Sequence, residues 1–181
     1  MVDPINIYIS RLAEAARKKC CEKKFIEEKT FKFEEHQLES IVSFFGGELR
    51  HYETESEMNN IVSTIKGNSF LKKISNDRID FIIGYIKFFP IDILHELGHY
   101  FLEKTKLKSG DIVWSGDLDD GICELTASKF ARAFVMPSKL FEEVIVINSN
   151  KGLCNIQEVA ETFGVEISDV ISRGRETYLW E

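Results

Sequence analysis

This 181-residue chain has little that is basic, cysteine-rich or continuously apolar, and each shortage removes a class of explanation. Lysine and arginine number 23 against 30 acids, for a formal charge of -7. The broad positive field that non-specific nucleic-acid binding needs is therefore missing, and the expected partner is a protein or peptide. The four cysteines are the pair Cys20–Cys21 and the singles Cys123 and Cys154. Adjacent cysteines make a poor disulfide framework, and no C-x-x-C spacing offers a metal knuckle, so free thiols are expected. No window approaches the roughly 20 apolar residues of a membrane span. Met1 is followed by Val2, Asp3 and Pro4 rather than by a basic stretch and an apolar run, so no export signal is expected and the cytoplasm is the expected compartment. With 44% hydrophobic residues and only three prolines, wholesale disorder is excluded as well.

What is present reads as helix, sheet, helices, an α+β order rather than alternating βαβ. Ile5, Ile9, Leu12, Ala13 and Ala16 predict an amphipathic helix over 5–24, with Arg17, Lys18 and Lys19 as its solvated basic end. A second helix over 34–45 is stopped by Gly46-Gly47. Leu49–Tyr52, Ile61–Ile65, Phe70–Ile74 and Arg78–Ile86 are short β-prone runs, with turns at Gly67-Asn68 and Ser75-Asn76-Asp77, and they predict a small, mostly antiparallel sheet. Pro90 suits the first turn of a helix. A loop over Lys108–Gly121 leads into a helix from about Asp120 to Met136, which Pro137 ends. A helix over Ser138–Val146, a polar loop over Asn148–Gly152, and two short helices at about 156–163 and 167–177 complete the chain.

The helix opened by Pro90 carries His95-Glu96-Leu97-Gly98-His99. Histidines four apart sit one turn above each other, so both rings reach one ion from the same face. Glu96 lies about 100° around the helix from His95, beside the metal, where it can act as acid and base without ligating it. Gly98 inside a helix costs roughly 1 kcal/mol and implies that a neighbouring backbone comes close there. The rival reading is a pair of histidines that merely pack or lie on the surface. A catalytic zinc has three protein ligands and an open position. Position 105 is Thr105, so no third histidine follows, and a carboxylate from another element is expected. Glu124 is the best candidate, on one stripe with Ala127, Ala131 and Val135; the alternative makes it a helix-start acid beside Asp119 and Asp120.

His95-Glu-Leu-Gly-His-Tyr, Glu124-x-x-Ala127-x-x-Phe130-Ala131 and the closing Val135-Met136-Pro137 resemble the ImmA/IrrE family of zinc metallopeptidases. The resemblance is sharp over about 94–137. It implies a zincin-like metallopeptidase domain over 1–147, in which the small sheet packs with a helical core that carries HExxH, and a C-terminal helical hairpin over 148–181 packed on the same domain. It also implies Zn2+ on His95, His99 and Glu124, with Glu96 as the catalytic residue. The implied substrate is a regulatory protein, often a co-encoded helix-turn-helix repressor of a phage or mobile element. Two positions depart from the family pattern: Ser128 stands where asparagine is common, and Phe89–Leu94 differs from the usual lead-in. Tyr100 and His51 are candidate oxyanion stabilisers, with Tyr100 as a packing residue the rival reading; Asp117, Asp119 and Asp120 are candidates to orient a histidine ring, against the plainer account of a solvated acidic loop.

A different class of function is suggested by Val159-Ala160, Phe163-Gly164-Val165 and Val170, which have helix-turn-helix spacing. Glu158, Glu161, Glu166 and Asp169 crowd that unit, with only Arg173 and Arg175 as cations near its end, so charge argues against a DNA-binding regulator. A zinc-bound protein without peptidase activity is the third reading.

Overall fold

In a computed structural model, residues 4–61, 68–74, 79–103, 112–114 and 121–179 are described. Their elements run α1 (Pro4–Glu22), α2 (Glu35–Phe44), β1 (Gly47–His51), α3 (Glu55–Asn59), β2 (Ser69–Lys73) and β3 (Phe81–Tyr85). Then follow α4 (Pro90–Glu103), β4 (Ile112–Trp114), α5 (Gly121–Val135), α6 (Ser138–Ile147), the hairpin β5 (Ser149–Asn150) and β6 (Leu153–Cys154), α7 (Ile156–Phe163) and α8 (Ile167–Glu176). The class is α+β, as expected. Two compact units divide it, one spanning Glu34–Ala131 and the other joining the segment up to Phe33 with that from Arg132.

The first unit holds a four-stranded sheet in the order β1-β3-β2-β4. β2 runs antiparallel to both β3 and β4, whereas β1 lies parallel to β3 with Gly47 opposite Phe81. Central β3 is Phe-Ile-Ile-Gly-Tyr and buried throughout, which suits a strand with neighbours on both sides. α2 ends where its glycines are, Gly46 taking the left-handed φ of 91° that lets the chain turn into β1.

Two expectations are corrected here, and one element was not expected. Lys108–Gly121 is not all loop, because Ile112–Trp114 pairs with β2. Asn148–Gly152 is likewise no plain loop, since Ser149–Asn150 pairs with Leu153–Cys154. A short helix precedes Ile61, capped by Thr54, whose side chain accepts from the Glu57 amide at 3.2 Å. Met58 of that helix packs with Tyr52 and Phe70, and Ile61 covers the cluster. The remainder of the expected Ile61–Ile65 strand, the Gly67 half of one turn and the Ser75-Asn76-Asp77 turn lie outside the described residues.

The second unit corrects the basic helix end. Lys18 and Lys19 are exposed, but Arg17 is buried. Its guanidinium donates to the carbonyls of Phe134 (2.9 Å), Thr30 (2.7 Å) and Glu28 (3.3 Å) and lies over the Phe33 ring. In the same unit α7 and α8 are joined through Gly164, left-handed at φ 66°. Arg173 of α8 is fully buried, donating to the Met136 carbonyl, Ser10 and Ser138. Among the described residues no helix is long and apolar enough to cross a membrane.

Candidate metal centre

Helix α4 begins at Pro90 and presents His95 and His99 on one side, their Nε2 atoms 3.0 Å apart. α5 brings Glu124 against both: Oε1 lies 3.0 Å from His99 Nε2 and Oε2 3.2 Å from His95 Nε2. The two helices come together at Gly98. A Cβ there would meet the Ala127 carbonyl oxygen at 3.0 Å and the Ala127 Cα at 3.1 Å. The glycine inside the helix thus answers to a close backbone, as its position in the sequence implied. His99 is buried, while His95 and Glu124 are partly so.

The donor set suits a divalent cation. Two imidazole nitrogens and a carboxylate have their ligand atoms within 4.8 Å of one another. Their closest approaches of 3.0–3.2 Å are near the roughly 3.3 Å that separates donors in a tetrahedron with bonds of about 2.05 Å. His95 Nδ1 lies 3.1 Å from Ser128 Oγ. If His95 keeps its proton on Nδ1 and donates it to that hydroxyl, the Nε2 lone pair points into the cluster. The arrangement is compatible with zinc.

Glu96 stands beside this cluster and is completely buried. Ser69 Oγ donates to its Oε1 at 2.8 Å, and Oε2 has no hydrogen-bond partner among the described residues. Burial pushes the Glu96 carboxyl up to about 7; the neighbouring His95 and His99 and the Ser69 hydroxyl pull the other way, and Glu124 adds to the rise. A carboxyl in that range can both take and return a proton near neutral pH.

The other sequence candidates are engaged elsewhere. The Tyr100 hydroxyl donates to Asp80 Oδ2 at 3.1 Å, its ring stacks on Phe81, and burial with that carboxylate raises it to about 12. His51 Nε2 lies 3.1 Å from the Ile86 carbonyl, and its ring stacks on Tyr85. Neither is brought to the cluster, and Asp117, Asp119 and Asp120 lie outside the described residues. Two residues touch the site in ways that the sequence did not assign. Ser128, noted in the sequence only as a departure from the family pattern, lies one helical turn beyond Glu124 and meets His95. Ser69 had no local signal, because its approach to Glu96 requires the sheet.

Residues 91–170 match the model of the Peptidase_M78 family, described as the IrrE N-terminal-like domain. The resemblance to the ImmA/IrrE family holds. The ImmA/IrrE-type segment takes in α4 with both histidines and Glu96, α5 with Glu124, and the chain as far as Val170 of α8. The matched family is one of peptidases. Ser69 and the strands β1 to β3 precede the segment. No curated protein matches the chain. A solved structure of a Mycobacterium tuberculosis transcriptional regulator is similar in fold, with a TM-score of 0.54 and 15% identity. The likeness covers 93% of this chain and 48% of that one, so the chain spans about half its length.

Proposed function

We propose that this chain is a zinc-dependent endopeptidase of the cytoplasm that cuts a regulatory protein, such as a co-encoded helix-turn-helix repressor. The observation that carries the reading is the convergence of His95, His99 and Glu124 beside a buried carboxyl, Glu96, one oxygen of which is unpartnered among the described residues. His95, His99 and Glu124 would hold the metal. Bound there, zinc supplies Lewis acidity and an activated water. Glu96 takes a proton through its carboxylate during attack on the peptide carbonyl and returns it to the leaving amine. Ser128 keeps the His95 ring oriented. The repressor as substrate rests on the family likeness alone.

A DNA-binding regulator is the weaker alternative. Arg173, one of the two cations at the end of the α7–α8 pair, is buried and spends its donors on Met136, Ser10 and Ser138, so it is not offered to a phosphate. The test compares wild type with Glu96→Gln and Glu124→Ala for zinc content and for cleavage of a co-encoded repressor. The peptidase reading expects Glu96→Gln to keep zinc and lose cleavage, and Glu124→Ala to lose most of the zinc. Full cleavage by the Glu96→Gln protein sinks that mechanism. Zinc binding with no cleavage by wild type favours a non-catalytic zinc protein, and sequence-specific, salt-sensitive DNA binding favours the regulator.

A further inference from the structure

Ser69 opens β2 and is fully buried. The β2–β3 ladder sets its backbone opposite Tyr85. The preceding Asn68 ties the same point to the start of α4. Its amide donates to the Lys87 carbonyl at 2.8 Å and to Asp92 Oδ2 at 3.0 Å, and its Oδ1 accepts from the Lys87 amide at 2.8 Å. From this doubly tethered position Ser69 Oγ reaches across to Oε1 of Glu96.

We propose that Ser69 is a positioning residue for the reaction: it ties down Oε1 of Glu96 and leaves Oε2 as the one oxygen that handles the proton. A carboxylate turns broadly about its terminal bond, and its two oxygens are equivalent until something distinguishes them. Among the described residues one of these buried oxygens has a donor and the other has none. A serine serving only the packing of β2 could satisfy its hydroxyl with a backbone carbonyl, as most buried side-chain groups do. Ser69 instead donates to the buried carboxyl next to the two histidines, and it does so from outside the segment that matches the peptidase family. The inference rests on the hydrolase reading for the purpose of the proton, but the hold of Ser69 on Glu96 can be tested apart from it.

The experiment loads the full chain with Co2+ alone and compares wild type, Ser69→Ala, Ser69→Thr and Glu96→Gln. None of these substitutions removes a proposed ligand, so Co2+ affinity stays at the wild-type value. The visible absorption of cobalt is sensitive to polar groups facing the ion. Ser69→Ala is expected to move the spectrum toward that of Glu96→Gln, and Ser69→Thr, which keeps the hydroxyl, to restore it. With zinc loaded and fluorescein-labelled casein as probe, Ser69→Ala lowers kcat about 10- to 100-fold at unchanged KM, the effect of losing one hydrogen bond to a charged group. A Ser69→Ala spectrum that superimposes on wild type overturns the proposal, whatever casein does. So does loss of cobalt by Ser69→Ala, which would make Ser69 a support for the fold of the site. If wild type leaves casein intact while the spectra shift as expected, the hydrolase reading suffers and the hold of Ser69 on Glu96 stands.

Discussion

Gly98 of α4 faces Ala127 of α5 so closely that a methyl group at 98 would lie 3.0 Å from the Ala127 carbonyl oxygen and 3.2 Å from the Phe130 Cβ. The approach puts the histidine pair of one helix within reach of the glutamate of the other. An alanine at this position would improve helix propensity by roughly 1 kcal/mol in an isolated helix. Here the gain is opposed, because a backbone must give by a few tenths of an ångström.

Gly98→Ala is therefore expected to be no more stable than wild type and to bind zinc about tenfold more weakly, since the shift carries Glu124 away from His95 and His99. Competition against a chromogenic chelator measures this. Zinc affinity at the wild-type value together with higher stability would show that the contact at Gly98 does not govern the site.

Ser128 touches His95 Nδ1. Removing a partner of this kind typically weakens metal binding about 10- to 100-fold. Ser128→Ala is expected to lose zinc to chelator in that range, with the fold intact by circular dichroism. Ser128→Asn, which introduces the residue common in the family, supplies an amide oxygen to the same nitrogen and should retain wild-type affinity. Equal losses in both variants would mean that Ser128 acts through packing alone.

Glu96 makes a prediction for the metal-free protein. Its carboxyl has an ordinary value of 4.5 when exposed and about 7 when folded, so the native chain holds that proton more tightly than the unfolded chain. The stability that the protonated form contributes is complete below about 4.5 and is lost as pH rises through about 7, on the order of 3 kcal/mol. Glutamine at 96 carries no such dependence. In chelator-treated samples, urea denaturation should show Glu96→Gln gaining on wild type between pH 5 and pH 8. A difference that does not change with pH would refute burial as the cause of the raised carboxyl.

The cluster of His95, His99 and Glu124 was readable in the chain to the extent that it is local. His95 and His99 are one helical turn apart, and that periodicity survives any tertiary arrangement. Glu124 was readable because its stripe of alanine and valine marks an inward face, on which a carboxylate needs a partner. Gly98 announced a close backbone without saying whose. Charge alone misjudged Arg17 and Arg173, because it cannot separate a solvated cation from one whose guanidinium caps backbone carbonyls in the interior. The β4 strand was missed because three residues become a strand only by pairing with β2. α3 was missed because five residues are too few for a helical period, although Thr54 and Glu57 carry its cap.

The sequence by itself determined the donor atoms, the helix that presents two of them, and the carboxyl placed next to them, because these follow from side-chain chemistry and a turn of 3.6 residues. Only the tertiary structure decided that β1 lies parallel to β3, that α5 approaches close enough for Glu124 to meet both rings, and that Ser69 addresses one particular oxygen of Glu96. Those relations join residues far apart in the chain, and they arise from packing and strand register, which no local pattern encodes.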